Sequence, residues 1–262
     1  MQCEPTYDIK YVQGNVKDKY RYAISYNKAW HNLKRARKNV YGIWEGSCQY
    51  LPKYIGALQK YNPGTVEEWF PNEIDGRVIH ILQYVLWAFR SCIECFRHCL
   101  KVISVDGTHL YTKYKHKMLI DASLDANQHV LPLAYAIVDE KNFRSWHWFL
   151  HMVTKFVIHG VKGMCLISDR HPDIIKIVER VREFQAPMGL HRFCLRHVTS
   201  NFNNHYKNIS LKNLCWQTGS ELSVHTFEKI MEQIKPSNPD ACEYLLVIDP
   251  CLWILCYDEG NR

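Results

Sequence analysis

Two short apolar runs, "VISVD" and "CLISD", end in the same unusual way, on an aspartate at positions 106 and 169. Each reads as a buried β-strand whose C-terminal end carries a carboxylate. Between them lie two further β-prone runs, "KMLIDASLDA" and "HVLPLAYAIV", separated by the turn residues Asn127 and Gln128. The stretch "RSWHWFLHMVTKFV" follows, with Trp148, Met152 and Phe156 four apart as on one helix face. After Asp169, Pro172 opens a predicted helix over 172–184, "PDIIKIVERVREF". The predicted order is therefore β-β-β-α-β-α, an α/β fold that starts with an antiparallel meander.

That order constrains chemistry as well as shape. If the fourth strand returns through its helical crossover to lie beside the first, Asp106 and Asp169 project from neighbouring strand ends into one crevice. Adjacent carboxylates repel unless a divalent cation lies between them. Mg²⁺ or Mn²⁺, bound by one or two protein carboxylates with water and phosphate, suits such a pair, and the chemistry it serves is phosphoryl transfer. The competing reading is that each aspartate caps a turn, since Asp106-Gly107 and Ser168-Asp169 both suit turns.

Upstream, residues 18–40, "DKYRYAISYNKAWHNLKRARKNV", lack Gly and Pro and predict one helix. Tyr26, Trp30, Leu33 and Val40 form its apolar stripe, with Asn15 or Asp18 as cap and Gly42 as its end. A second helix, "SCQYLPKYIGALQKY", stops at the turn signal Asn62-Pro63-Gly64. Residues 76–99 space Ile79, Leu82, Leu86, Phe89, Ile93 and Phe96 mainly as a helix, on which Cys92, Cys95 and Cys99 read as packing residues rather than metal ligands. Residues 199–247 read as helical.

The net charge of +7 is concentrated at the start of the chain. Residues 1–60 hold 11 basic and 4 acidic side chains, and the other 202 balance at 22 of each. Such asymmetry favours a polyanionic partner, with Lys28, Lys34, Arg35, Arg37 and Lys38 as candidate nucleic-acid contacts. The alternative is a solvated basic helix with no partner. With 47% hydrophobic and 13% aromatic residues the chain is expected to fold rather than remain disordered. No secretory signal or long uncharged apolar run is evident, so no membrane association is expected and an intracellular protein is read. The 11 cysteines are then reduced, most of them small buried hydrophobes.

The phrases "VDGTHLYTKYK", "LPLAYAIVDEKNFRSWHWFL", "LISDRHPDI" and "HRFCLRHVTSNF" resemble the catalytic region of plant Mutator-like element transposases. "FEKIMEQI" and "NPDACEYL" continue the resemblance, and "YNKAWHNLKRARKNVYG" and "YLPKYIGALQKYNPGT" extend it upstream. The resemblance implies the DDE class with an RNase H-like core. Asp106 and Asp169 correspond to its first two catalytic acids, holding Mg²⁺ or Mn²⁺ for cleavage and strand transfer of DNA in the nucleus. Cys194 and His197 match the family's Cys-x-x-His motif, with zinc binding or structural packing as its two roles. The partners implied are DNA, as transposon ends or nonspecifically, and a second copy of the chain.

The resemblance divides the chain into a basic helical segment (1–64), a helical lead-in (65–100), an RNase H-like core (101–198) and an incomplete helical insertion region (199–262). The chain departs from the family in three places. The family's third acid, a glutamate, follows a "YDEGNR" stretch, and here that stretch is the end of the sequence. The expectation is a truncated, inactive copy; the alternative is a domesticated, non-catalytic DNA-binding or transcription-regulatory derivative. Glu228, Glu232, Glu243 and Glu259 are the remaining conceivable substitutes. His116 and Asp173 stand where glycine is common; the first is expected to alter the turn between the first two core strands, and the second to favour a helix N-terminus.

Overall fold

The computed structural model describes residues 8–42, 44–70, 73–74, 77–78, 83–110 and 115–258. The chain divides into two compact units, residues 1–57 and 58–262.

The first unit is helical. Helix α1 (Ile9–Tyr20) is capped by Asp8, whose carboxylate accepts the Tyr11 N–H, and ends where Arg21 turns left-handed at φ 53°. Helix α2 (Tyr26–Tyr41) starts at Ser25, whose hydroxyl accepts the Lys28 N–H at 3.3 Å, and stops at Gly42 with φ 79°. The single helix predicted over 18–40 is thus two. Serine at position 25 offers the first turn of α2 an acceptor that mid-helix geometry would leave unused. Ala29 and Leu33 are buried, whereas Tyr26, Trp30 and Val40 of the expected apolar stripe are exposed. Helix α3 (Trp44–Tyr61) runs to the turn at Asn62-Pro63-Gly64, as its breaker residues dictate.

The second unit is built on a mixed seven-stranded sheet. Its elements are β1 (Val66–Trp69), the two-residue pair β2 (Glu73–Ile74) and β3 (Arg77–Val78), β4 (Tyr84–Ala88), α4 (Arg90–Phe96), β5 (Val102–His109), β6 (Lys117–Leu124) and β7 (Val130–Val138). They continue as α5 (Phe143–Phe156), β8 (Met164–Ser168), α6 (Pro172–Val178), β9 (Gly189–Phe193), α7 (Leu195–Tyr206), α8 (Ile209–Ser220), α9 (Val224–Ser237) and α10 (Pro239–Leu246). The sheet order is β1-β4-β7-β6-β5-β8-β9; β5, β8 and β9 run parallel and the other neighbours antiparallel.

Three expectations change. Residues 65–100 are not a helical lead-in: they supply β1 and β4, and only α4 is helical between β4 and β5. All five residues of β4 are buried, because it lies between β1 and β7 in the sheet, and a continuous apolar run of this kind satisfies helix and strand spacing alike. Ile79 and Leu82 of the expected stripe lie outside the described residues. The helix predicted over 172–184 ends at Val178, and a single 3₁₀ turn at Arg182–Phe184 returns the chain to the sheet. That return delivers β9, a strand not foreseen, along the edge of β8. A side chain at Gly189 would strike the Glu183 and Met164 carbonyls, so the return is tight enough to require glycine.

Helix α5 begins with a reciprocal cap: Asn142 accepts the Ser145 N–H and Ser145 accepts the Asn142 N–H. Its buried face of Trp146, Phe149, Leu150 and Val153 joins Ile174 and Ile177 of α6 over Ile103, Val105, Leu119 and Leu166 of the sheet. A second apolar cluster joins Phe193, Val198, Phe202, Leu211, Cys215, Ile230 and Ile234 of β9 and α7 to α9 with Trp253 of the turns after α10. Arg192 of β9 is tied to Asp258 by a buried ion pair of 2.6 Å. Of the described cysteines, Cys165, Cys215 and Cys242 are buried, while Cys95 and Cys251 are exposed and Cys92, Cys99, Cys194 and Cys256 half-buried. Most are therefore not core residues. No helix among the described residues is long and apolar enough to cross a membrane.

Candidate active site

The parallel pairing of β5 with β8 sets Val102 beside Cys165, Ile103 beside Leu166 and Ser104 beside Ile167. Carried on at the same offset, this register aligns Asp106 with Asp169. Neighbouring strands lie about 4.8 Å apart. Asp169 directly follows the last residue of β8, whereas Asp106 lies inside β5, which runs on to His109, so the expected strand end holds for the second aspartate and not for the first.

Each carboxylate commits one oxygen to a nearby backbone N–H. Oδ1 of Asp106 accepts the Gly107 N–H at 2.7 Å, and Oδ1 of Asp169 accepts the His171 N–H at 3.0 Å on the way into α6. The turn-capping role weighed against metal binding is thus real at Asp169 but not at Asp106, which lies in mid-strand; one oxygen of each carboxylate is taken up locally all the same. Oδ2 of Asp106 faces α7, where Arg196 Nη2 donates to it at 3.0 Å and His197 Nε2 stands 3.9 Å away. A side chain at 107 would press on the ends of the Leu119 and Lys141 side chains, which would have to move, and the Lys141 ammonium donates to the Gly107 carbonyl.

Helix α7 starts at the site because β9 runs alongside β8 and the Cys194 N–H donates to the Ser168 carbonyl at 2.7 Å. Cys194 occupies the cap position without a side-chain capping bond, and His197 lies one turn further on, its Nδ1 buried and unpartnered among the described residues. Ser168 Oγ, just before the second aspartate, lies 2.8 Å from His191 Nε2. Burial, reinforced by the Arg192 charge, pushes the His191 imidazole down to about 4, so it is neutral at ordinary pH and serves to pin β9 to β8.

Two of the expected site residues are therefore brought together, and the Cys-x-x-His pair is brought beside them. Among the described residues no three His, Cys, Asp or Glu side chains are placed to hold a metal ion together. Glu228, Glu232 and Glu243 are exposed on α9 and α10, and Glu259 lies outside the described residues. Two half-buried carboxylates fit Mg²⁺ or Mn²⁺, which draw their remaining ligands from water and phosphate; Cys194 and His197 alone supply half of a tetrahedral zinc shell.

Arg196 and Lys141 were not singled out from the sequence. Arg196 stands inside the Cys-x-x-His phrase, which was the available signal, whereas Lys141 reaches Gly107 only through tertiary packing. Of the two departures, Asp173 lies in the first turn of α6 as expected, 3.8 Å from the His171 ring. The His116 carbonyl accepts the Leu110 N–H at the base of the β5–β6 turn, and among the described residues there it is Lys115 that is left-handed, at φ 53°. The five basic residues lie on α2, all exposed, with Lys28 over the Tyr22 ring and Lys34 over the Trp30 ring.

Residues 102–201 match the family model of the MULE transposase domain, the domain of Mutator-like elements. The match spans β5 to the first half of α7, including Asp106, Asp169, Cys194 and His197, and over this segment the chain is MULE transposase-like. No curated protein matches the chain.

Proposed function

We propose that this chain is a DDE-class, Mutator-like transposase unit with an RNase H-like core, in which Asp106 and Asp169 hold Mg²⁺ or Mn²⁺ against DNA in the nucleus. The observation that carries the reading is the register that aligns the two aspartates on neighbouring parallel strands, where β8 ends. The antiparallel β5-β6-β7 meander followed by parallel β8 and β9 supports the RNase H-like assignment. When bound, the cation would activate the attacking oxygen and stabilise the leaving 3′ oxygen.

The chain's own residues prepare the site. Gly107 and the Asp169 turn each fix one carboxylate oxygen, so the second oxygens are held in place before any ion arrives. Arg196 neutralises Asp106 in the absence of a cation and, with its side chain 68% exposed, is free to swing to a phosphate when the cation displaces it.

A second reading, a non-catalytic DNA-binding derivative, is favoured by the Arg196 guanidinium that already occupies the free oxygen of Asp106. It predicts cation binding without strand cleavage of duplex DNA. The experiment is calorimetric titration of Mn²⁺ into the whole chain and its Asp106→Ala, Asp169→Ala and Arg196→Ala variants, each checked by circular dichroism. Binding lost in both aspartate variants and a few-fold tighter in Arg196→Ala is expected; Mn²⁺ binding that is equal in all four proteins, or absent from all, overturns the paired-aspartate site.

A further inference from the structure

Away from the aspartate pair, the solvent face of α5 and the turn after α6 enclose a cleft of about 430 Å³. His147 and His151, four apart on α5, share one side with His159 in the turn that follows; Arg180, Arg182 and Glu183 line the other. Lys155 also reaches the cleft but is committed to Glu68 at 3.2 Å. Neither arginine has an ion-pair partner among the described residues, so Glu183 is the one acid lining the cleft beside two guanidinium groups. Phe143 stiffens the rim, with the His147 ring stacked on it at 5.8 Å and the Arg180 guanidinium 5.7 Å from its centre.

Residues 61–262, balanced in overall charge, have thus gathered cations and imidazoles on one concave surface. An imidazole is the side chain that ordinarily gains charge between about pH 8 and pH 5. Counting the Lys155–Glu68 pair as neutral, the cleft carries a small positive charge when its histidines are neutral and gains up to three more when they are protonated. Guanidinium and imidazolium groups lining an open groove suit the repeated phosphates of a nucleic-acid backbone.

We propose that this cleft is a second DNA-binding surface, which grips the phosphate backbone of duplex DNA more tightly as pH falls. The choice of DNA rests on the transposase reading of the other site; the charge arrangement does not. Helix α2 carries an exposed histidine of its own, His31, among its lysines and arginines, so it is the histidine variant of the cleft, not pH dependence alone, that separates the two surfaces.

The test is fluorescence anisotropy of a random-sequence DNA duplex with the whole chain at pH 8 and pH 6, at several salt concentrations. It is repeated with a His147→Gln/His151→Gln/His159→Gln variant and an Arg180→Gln/Arg182→Gln variant. All five positions are exposed, and circular dichroism checks the fold. Wild type should bind about tenfold tighter at pH 6, and the histidine variant should lose most of that gain. The arginine variant should bind more weakly at both pH values, with a salt slope flatter by about 1 to 2. A pH gain equal in wild type and histidine variant overturns the proposal, as does an arginine variant that binds like wild type. Mn²⁺ titration of the same variants keeps the two readings apart: failure of the aspartate site leaves this result standing, and the reverse also holds.

Discussion

Residues 1–60 hold 11 basic and 4 acidic side chains, whereas the 202 residues after them hold 22 of each, and the two regions keep their charges in different ways. On α2 the five candidate cations are exposed, two of them over aromatic rings. In the second unit charge is placed by tertiary structure. Arg192 and Asp258 are buried together, and Arg196 meets Asp106. Asp121 is buried in the sheet with neither carboxylate oxygen hydrogen-bonded among the described residues. A solvated charge acts through its field and needs no precise position. A buried charge depends on its partner, and lacking one it is expelled toward neutrality.

That contrast is open to direct attack, first through the buried pair. Asp258→Ala strands Arg192 beside β9 and should destabilise the second unit by about 3–5 kcal/mol. Urea unfolding checks this, and a loss under about 1 kcal/mol would mean that the pair is not a structural tie between β9 and the C-terminal turns.

Next comes the buried carboxylate. Burial pushes the Asp121 carboxyl up to about 8, against an ordinary 3.8. A group protonated in the folded state and ionised in the unfolded one makes folding take up a proton, so its contribution to stability is greatest below about pH 4 and declines as pH rises to about 8. Asp121→Ala should stabilise the protein by about 2 kcal/mol at neutral pH and flatten this decline. Thermal melts of both proteins from about pH 4.5 to pH 8 span the decline; parallel pH profiles would show that another group governs the slope.

The smallest effect on folding belongs to α2. Replacing Lys34, Arg35, Arg37 and Lys38 together by Ala should leave unfolding free energy within about 0.5 kcal/mol per position. DNA affinity should fall nonetheless, with the slope of log affinity against log salt flattened by about 0.9 for each phosphate that α2 no longer neutralises. Unchanged DNA binding would return α2 to the role of a solvated basic helix.

Much of the core was legible because its signals are local. The runs at β5, β6, β7 and β8 declare themselves by β-branched and aromatic composition bounded by turn residues, and α5 by its four-residue spacing. The matching ends of "VISVD" and "CLISD" made the alignment of Asp106 with Asp169 a deduction from strand order alone. Strand β9 was hidden because His191 and Arg192 break its apolar pattern; Ser168 and Asp258, 23 and 66 residues away, are what make those side chains tolerable in a strand. Strand β4 was hidden for the opposite reason, an unbroken apolar run that fits either period. The break between α1 and α2 turned on a single serine cap, and the short α6 on the need to bring Gly189 back to the sheet edge.

The sequence by itself determined the α/β class, the meander, the strand end at Asp169 and the basic start, because composition, period and turn chemistry act over a few residues; it did not show that β5 runs on past Asp106 to His109, which pairing with β6 decides. Only the tertiary structure decided that Arg196 faces Asp106, that Asp121 is enclosed in the sheet and that three histidines and two arginines share one cleft. Each of those facts depends on side chains whose separation in the chain carries no trace of their separation in space.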